Sequence, residues 1–186
     1  MWGRRAAPTE EKELPAWWSS CLFRWLALAW RGANNAQPRR AVYTRVLIPT
    51  DGSDLSRKAI EQGVALAKSI GASVVGITVS PTFHTFAVDP MIVTETPEQY
   101  RNNCEAWAER VLAILRDTAG VTGVPYDGVH ATNDHPHEAI ISTARDKQCD
   151  LIVMASHGRK GVSALLLGSE TTKVLTHSKI PVLVCR

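Results

Sequence analysis

The sequence predicts a doubly wound α/β domain with a parallel sheet over residues 42–186. Three observations carry this. Short apolar runs rich in β-branched residues alternate with longer segments of helical periodicity, in the order β-α-β-α-β-α-β-α-β. Strands separated by helices imply right-handed crossovers and therefore parallel pairing. In such sheets ligands sit beyond the carboxyl ends of strands where the strand order reverses. The two loops that carry chemistry-bearing residues follow the first and the fourth strand.

Val46-Leu47-Ile48, stopped by Pro49, reads as a buried strand. Ser53 or Asp54 caps the next helix, where Leu55, Ala59, Leu66 and Ile70 recur on one face and Gly71 ends the pattern. Ser73 to Ser80 is the second strand, closed by Pro81, and a loop through Met91 follows. Thr96-Pro97-Glu98-Gln99 then opens a helix, with a cap, a proline in the first turn and a glutamine three residues after the threonine. Its stripe is Tyr100, Cys104, Trp107, Val111 and Ile114, read as core packing. Tyr126 to Thr132 is a weaker strand. Asp134-His135-Pro136 starts a third helix that carries Ala139, Ile140, Thr143 and Ala144. Leu151 to Met154 and Pro181 to Val184 are the last strands, with a glycine-containing loop and a helix to about Ser178 between them.

Composition is that of a globular chain, 45% hydrophobic and 21% charged over 186 residues. The net charge of +3 comes from the first segment. Residues 1–41 hold seven Lys/Arg against three Glu, and the remainder holds 14 basic against 15 acidic residues. The domain thus has no basic footprint for nucleic acid. Cys21, Cys104, Cys149 and Cys185 are widely spaced, without a CxxC pair, which speaks against a disulfide framework or a zinc site and for a reducing cytoplasm.

Residues 1–41 differ from the rest and hold five of the six tryptophans. The apolar run from Ala16 to Trp30 is interrupted by Arg24, is too short for a bilayer span, and lacks the marks of a signal peptide. The expectation is a disordered extension or a start site placed too far upstream, with Val42 as a GTG start. Membrane-surface contact through residues 16–30 is the alternative, if they are expressed.

After the first strand comes Pro49-Thr50-Asp51-Gly52-Ser53. After the fourth comes Ala155-Ser156-His157-Gly158-Arg159-Lys160-Gly161, leading to Gly168-Ser169 at the start of a helix. Glycines let backbone N–H groups approach an anion, and a helix N-terminus with a hydroxyl is a phosphate site. There is no GxxxxGK[ST] and no GxGxxG after the first strand, which excludes a P-loop and a dinucleotide fingerprint. Arg159 and Lys160 are loop charges able to neutralise phosphates. His157 lacks a nucleophile in a motif context and is read as structural or adjacent to a ligand. The pair His135-Pro136-His137 has a metal-binding look but no third ligand.

With these motifs the chain from Val46 to Arg186 resembles the universal stress proteins of the bacterial single-domain type. The carriers are Val46 to Ser53, Met154 to Gly161, Leu167-Gly168-Ser169 and Ile180 to Val184. The resemblance implies a five-stranded parallel sheet of order 3-2-1-4-5 with helices on both faces. It also implies a homodimer through the last strand, with further protein partners unidentified. One branch of the family binds ATP through G-x2-G-x9-G-[S/T], and here the motif reads Ala155-x2-Gly158-x9-Gly168-Ser169. The implied cofactor is ATP with Mg²⁺. Asp51 would bond the nucleoside, Pro49 and Val79 would shape its pocket, and Gly158, Gly168 and Ser169 would cradle the phosphates. Ala155 departs from the motif, at little cost if its φ is negative and at about 1 kcal/mol or more if positive. Glu170 brings a carboxylate beside the phosphates, which repels them unless it points to solvent or a metal shares the site. Each residue also has a plain reading: Asp51 as a loop cap, Ser169 as an N-cap, the glycines as turns.

Three functional classes follow: an ATP-binding regulator of stress response, a slow ATP-hydrolysing enzyme, or a nucleotide-free dimeric interaction module. No residue is assigned a catalytic role, and neither SGGxDS nor HxGH, the marks of related ATP-consuming enzymes, is present.

Overall fold

The structure, a computed structural model, describes residues 42–83, 96–158 and 167–186. The extension 1–41, the loop around Met91 and the loop charges Arg159 and Lys160 lie outside the described residues. The elements follow in chain order: β1 (Arg45–Pro49), α1 (Asp54–Ile70), β2 (Ser73–Ser80), α2 (Pro97–Thr122), β3 (Tyr126–Thr132), α3 (Pro136–Asp146), β4 (Leu151–Ala155), α4 (Ser169–His177) and β5 (Val182–Cys185). The five strands form one parallel sheet in the order β3-β2-β1-β4-β5. The chain reverses direction across the sheet between β1 and β4, so a cleft opens above their carboxyl ends.

Each face of the sheet buries its own layer. Val46, Ile48, Val74 and Val153 pack under α1 and α2 with Ile60, Val64 and Leu115. Leu47, Val75, Ile77, Ile152 and Met154 pack under α3 and α4 with Ile140, Ala144 and Val174. Neighbouring residues of β1 and β4 thus feed opposite cores, which is why these strands read as unbroken apolar runs.

The helices start and stop where local chemistry requires. Ser53 caps α1 by accepting from Ser56 N, and Thr96 and Gln99 close a reciprocal capping box on α2. Gly71 and Gly123, each at φ +73°, end α1 and α2 in the left-handed region.

Two predicted helix faces are corrected. The buried face of α1 is Ser56, Ala59, Ile60, Gly63, Val64 and Ala67, while Leu55, Leu66 and Ile70 flank it half-buried. A Cβ at Gly63 would stand 2.6 Å from Ile48 Cδ1, so the helix lies too close to β1 for leucines along its centre line. On α2 the buried residues are Ala108, Val111, Leu112, Leu115 and Ala119, and only Val111 of the predicted stripe is fully buried. At 26 residues α2 outruns the eight-residue β2, being about 39 Å long against about 26 Å. Its first turns therefore reach past the sheet, where the Tyr100 hydroxyl donates to Pro81 O at 3.0 Å. The end strand also differs slightly from prediction, running from Val182 to Cys185. No helix among the described residues is long and apolar enough to cross a membrane.

Candidate functional site at the carboxyl ends of β1 and β4

A cavity of about 330 Å³ opens above the carboxyl ends of β1 and β4, near the lower end of the about 300–1,000 Å³ usual for small-molecule sites. All eight sequence-predicted residues line it. Pro49 and Asp51 come from the end of β1 and its loop, and Val79 from β2. Ala155 and Gly158 come from β4 and its loop, and Gly168, Ser169 and Glu170 from the start of α4.

The β1 loop is ordered by Asp51. Its Oδ1 accepts from Ser53 N at 3.0 Å and Ser53 Oγ at 2.7 Å, and Ser53 in turn caps α1. The plain capping role is therefore present. Its Oδ2 faces the neighbouring loop, where a Cβ on Gly158 would stand 2.7 Å from it. Glycine at 158 lets the two loops meet, and any side chain there would push the carboxylate aside.

The β4 loop is anchored through its backbone. Ser156 N donates to Cys185 O at 2.8 Å, and Gly168 N donates to Ser156 O at 2.8 Å. A Cβ at Gly168 would stand 3.3 Å from Ser156 O and 3.4 Å from His157 Cα. The buried Thr171 hydroxyl donates to Ala155 O at 3.0 Å, tying α4 to the end of β4. Ala155 carries no strain, because Gln148 is the only non-glycine with positive φ among the described residues. The alanine in place of the motif's first glycine thus costs nothing in backbone conformation.

Gly168, at φ −61° and ψ 151°, is the N-cap of α4 and supplies no side-chain bond to its first turn. Ser169 is consequently the first helical residue and not the cap. Its hydroxyl makes no hydrogen bond among the described residues. His157 shares a hydrogen bond between Nδ1 and Ser156 Oγ at 3.1 Å, and its Nε2 is buried without a partner among the described residues. It stands in the cavity wall.

Glu170 lines the cavity beside Ser169, and its carboxylate reaches across to α3. Its Oε2 accepts from His137 N at 3.0 Å and from His137 Nδ1 at 3.3 Å, and its Oε1 accepts from Lys173 Nζ at 2.8 Å. Burial opposes its charge, but the bonds from Lys173 and His137 outweigh burial and hold the carboxyl below its ordinary value. The motif His135-Pro136-His137 accordingly delivers His137 to a carboxylate, and its ring lies 6.0 Å from that of His135. Burial pushes the Cys149 thiol up to about 11 and raises that of Cys185, which favours the neutral thiol in both.

Sequence reasoning missed several lining residues, among them Thr50, Ile77, Pro136, Ile140, Met154 and Thr171. The signal for Pro136 and Ile140 was available, since every helix of a parallel α/β sheet begins at the carboxyl edge. The others are core residues with no mark in sequence to separate a cavity wall from a packed interior.

Residues 42–186 match the universal stress protein family. The universal stress protein YxiE of Bacillus subtilis is 30% identical over 154 residues, spanning 78% of this chain and 100% of that protein. Among solved structures, that of MJ0577 from Methanocaldococcus jannaschii aligns with a TM-score of 0.65 at 26% identity, covering 77% of this chain and 95% of that one. A universal stress protein solved in complex with cAMP shares the fold, with a TM-score of 0.55 at 22% identity over 77% of this chain and 97% of that one. The match over most of the chain and the sheet order lead to one conclusion: this chain belongs to the universal stress protein family.

Proposed function

We propose that the cavity binds an adenine nucleotide, ATP with Mg²⁺, and that occupancy regulates the protein's association with partners in a stress response. The observation that carries this reading is the open start of α4. A helix N-terminus favours an anion, and this one has a glycine cap, a serine hydroxyl without a partner among the described residues and a cavity in front of it. The apolar walls from Ile77, Val79 and Met154 suit a base, and Asp51 at the mouth suits a ribose hydroxyl. ATP would bring the metal with its phosphates, since Mg²⁺ keeps several waters and needs few protein ligands. The fold accommodates a nucleotide in the relative solved with cAMP; the case for this chain rests on its own residues.

Calorimetric titration of the full chain with ATP and Mg²⁺ tests the reading. Binding is expected in the wild type and lost in Gly168→Val, whose side chain would press on Ser156 O and His157 Cα. Equal affinity in the two proteins would dispose of the site.

The same reading includes a homodimer through β5. This strand is a sheet edge, and Leu183 on it is 43% exposed. An apolar edge invites pairing, and an isologous contact closes on itself. Light scattering of the full chain at micromolar concentration is expected to give twice the chain mass. A monomer would refute the dimer without touching the cavity.

A further inference from the structure

The wall of the cavity at α4 carries a charge that the nucleotide reading leaves unused. The first turns of α3 and α4 converge there, since Pro136 and Ile140 of α3 line the same cavity as Ser169 and Glu170. Both helix starts favour an anion. One anion is resident already. The Glu170 carboxylate occupies the start of α3 through His137 N at 3.0 Å, and Lys173 clasps its other oxygen at 2.8 Å. The His135 cap of α3 supplies no side-chain bond of its own, so Glu170 serves α3 as a cap borrowed from another helix. Those bonds hold the carboxyl below its ordinary value, and a glutamate carboxyl is ionised at neutral pH.

We propose that Glu170 determines specificity by phosphate charge: its carboxylate joins α3 to α4 and lowers affinity for each further negative charge brought to the start of α4. This rests on the nucleotide reading above. Adenosine brings no charge to that end of the cavity, AMP brings some, and ATP brings most. Repulsion between like charges near a protein surface grows with the ligand's charge and falls when a cation screens it. Lys173 offsets part of the carboxylate's field, so loss of the lysine and loss of the glutamate must act in opposite directions.

The test is calorimetric titration of the full chain with adenosine, AMP and ATP, first without divalent cation and then with Mg²⁺. Glu170→Gln keeps an acceptor for His137 N and removes the charge. Its ATP-to-adenosine affinity ratio is expected to rise about tenfold, and its AMP-to-adenosine ratio by less. Mg²⁺ should shrink the gain. Lys173→Met should lower the ATP-to-adenosine ratio, and it carries the test if Glu170→Gln does not fold. A ratio unaltered in both variants overturns this inference and leaves the nucleotide reading standing. Wild-type protein that binds none of the three ligands overturns both.

Discussion

The starts of α1 and α4 approach one cavity from opposite faces of the sheet, and each has a serine at the turn. Ser53 before α1 accepts from Ser56 N at 3.2 Å and donates to Asp51 Oδ1 at 2.7 Å, so its hydroxyl is used on both sides. Ser169 at the start of α4 follows a glycine cap, and its hydroxyl has no hydrogen bond among the described residues. The start of α2 is closed by its capping box and the start of α3 by Glu170. Ser169 is exposed, so its hydroxyl is open to solvent beside the cavity, and on the nucleotide reading this helix start is where the phosphates would be received. On the nucleotide reading the two serines, of one residue type, have opposite duties.

Exchanging each serine sharpens the contrast. On the nucleotide reading Ser169→Ala removes a donor to phosphate, and it touches no side-chain bond among the described residues. ATP affinity is expected to fall by about 1.5–3 kcal/mol, or roughly 10–100-fold, with the melting temperature unchanged. Ser53→Ala does the reverse in kind. It removes an N-cap and loosens Asp51, so stability is expected to fall by about 1 kcal/mol, with a smaller loss of affinity than in Ser169→Ala. Titration calorimetry and thermal unfolding on both variants separate the two duties. Should Ser53→Ala lose more affinity than Ser169→Ala, the open start of α4 is not the phosphate end.

That contrast was only half legible in the sequence. Residue type and spacing located both loops, because strand–loop–helix punctuation by Pro49, Gly52, Gly158 and Gly168 is local chemistry. The strands were legible for the same reason: buried on both faces, they show as apolar runs. The centre of α1 was not, because Gly63 brings the helix so near β1 that small residues take the buried face and leucines flank it. Nor was the extent of α2 over the sheet, which depends on the length of β2. At the site, a hydroxyl in sequence does not say whether it serves the fold or stands open. Glu170 shows this most clearly. Next to Ser169 it reads as a repulsive neighbour, and the partners that direct it, His137 and Lys173, include one from 33 positions away.

The amino ends of β1 and β4, away from the cavity, supply the smallest expected effect and the sharpest control. There the Asp150 carboxylate is spent wholly on the fold: Oδ2 accepts from Thr44 N at 2.7 Å and Thr44 Oγ1 at 2.8 Å, and Oδ1 accepts from Arg45 N at 3.0 Å. Burial would raise its pKa, but the bonds from the Arg45 and Thr44 amides and the Thr44 hydroxyl outweigh burial and hold it below its ordinary 3.8. A carboxyl that titrates lower folded than unfolded adds stability above the unfolded value and loses it as pH falls through the folded one. Asp150→Asn is therefore expected to cost about 1 kcal/mol at pH 7, a fall of roughly 2–4 °C in melting temperature. The gap to wild type should narrow as pH drops below about 4, and ATP affinity at pH 7 should stay as it was. Thermal unfolding of both proteins from pH 7 to pH 3 reads this directly. Melting curves that stay equally far apart across that range would mean that the charge of Asp150 contributes nothing, and that its bonds hold β1 to β4 as neutral contacts.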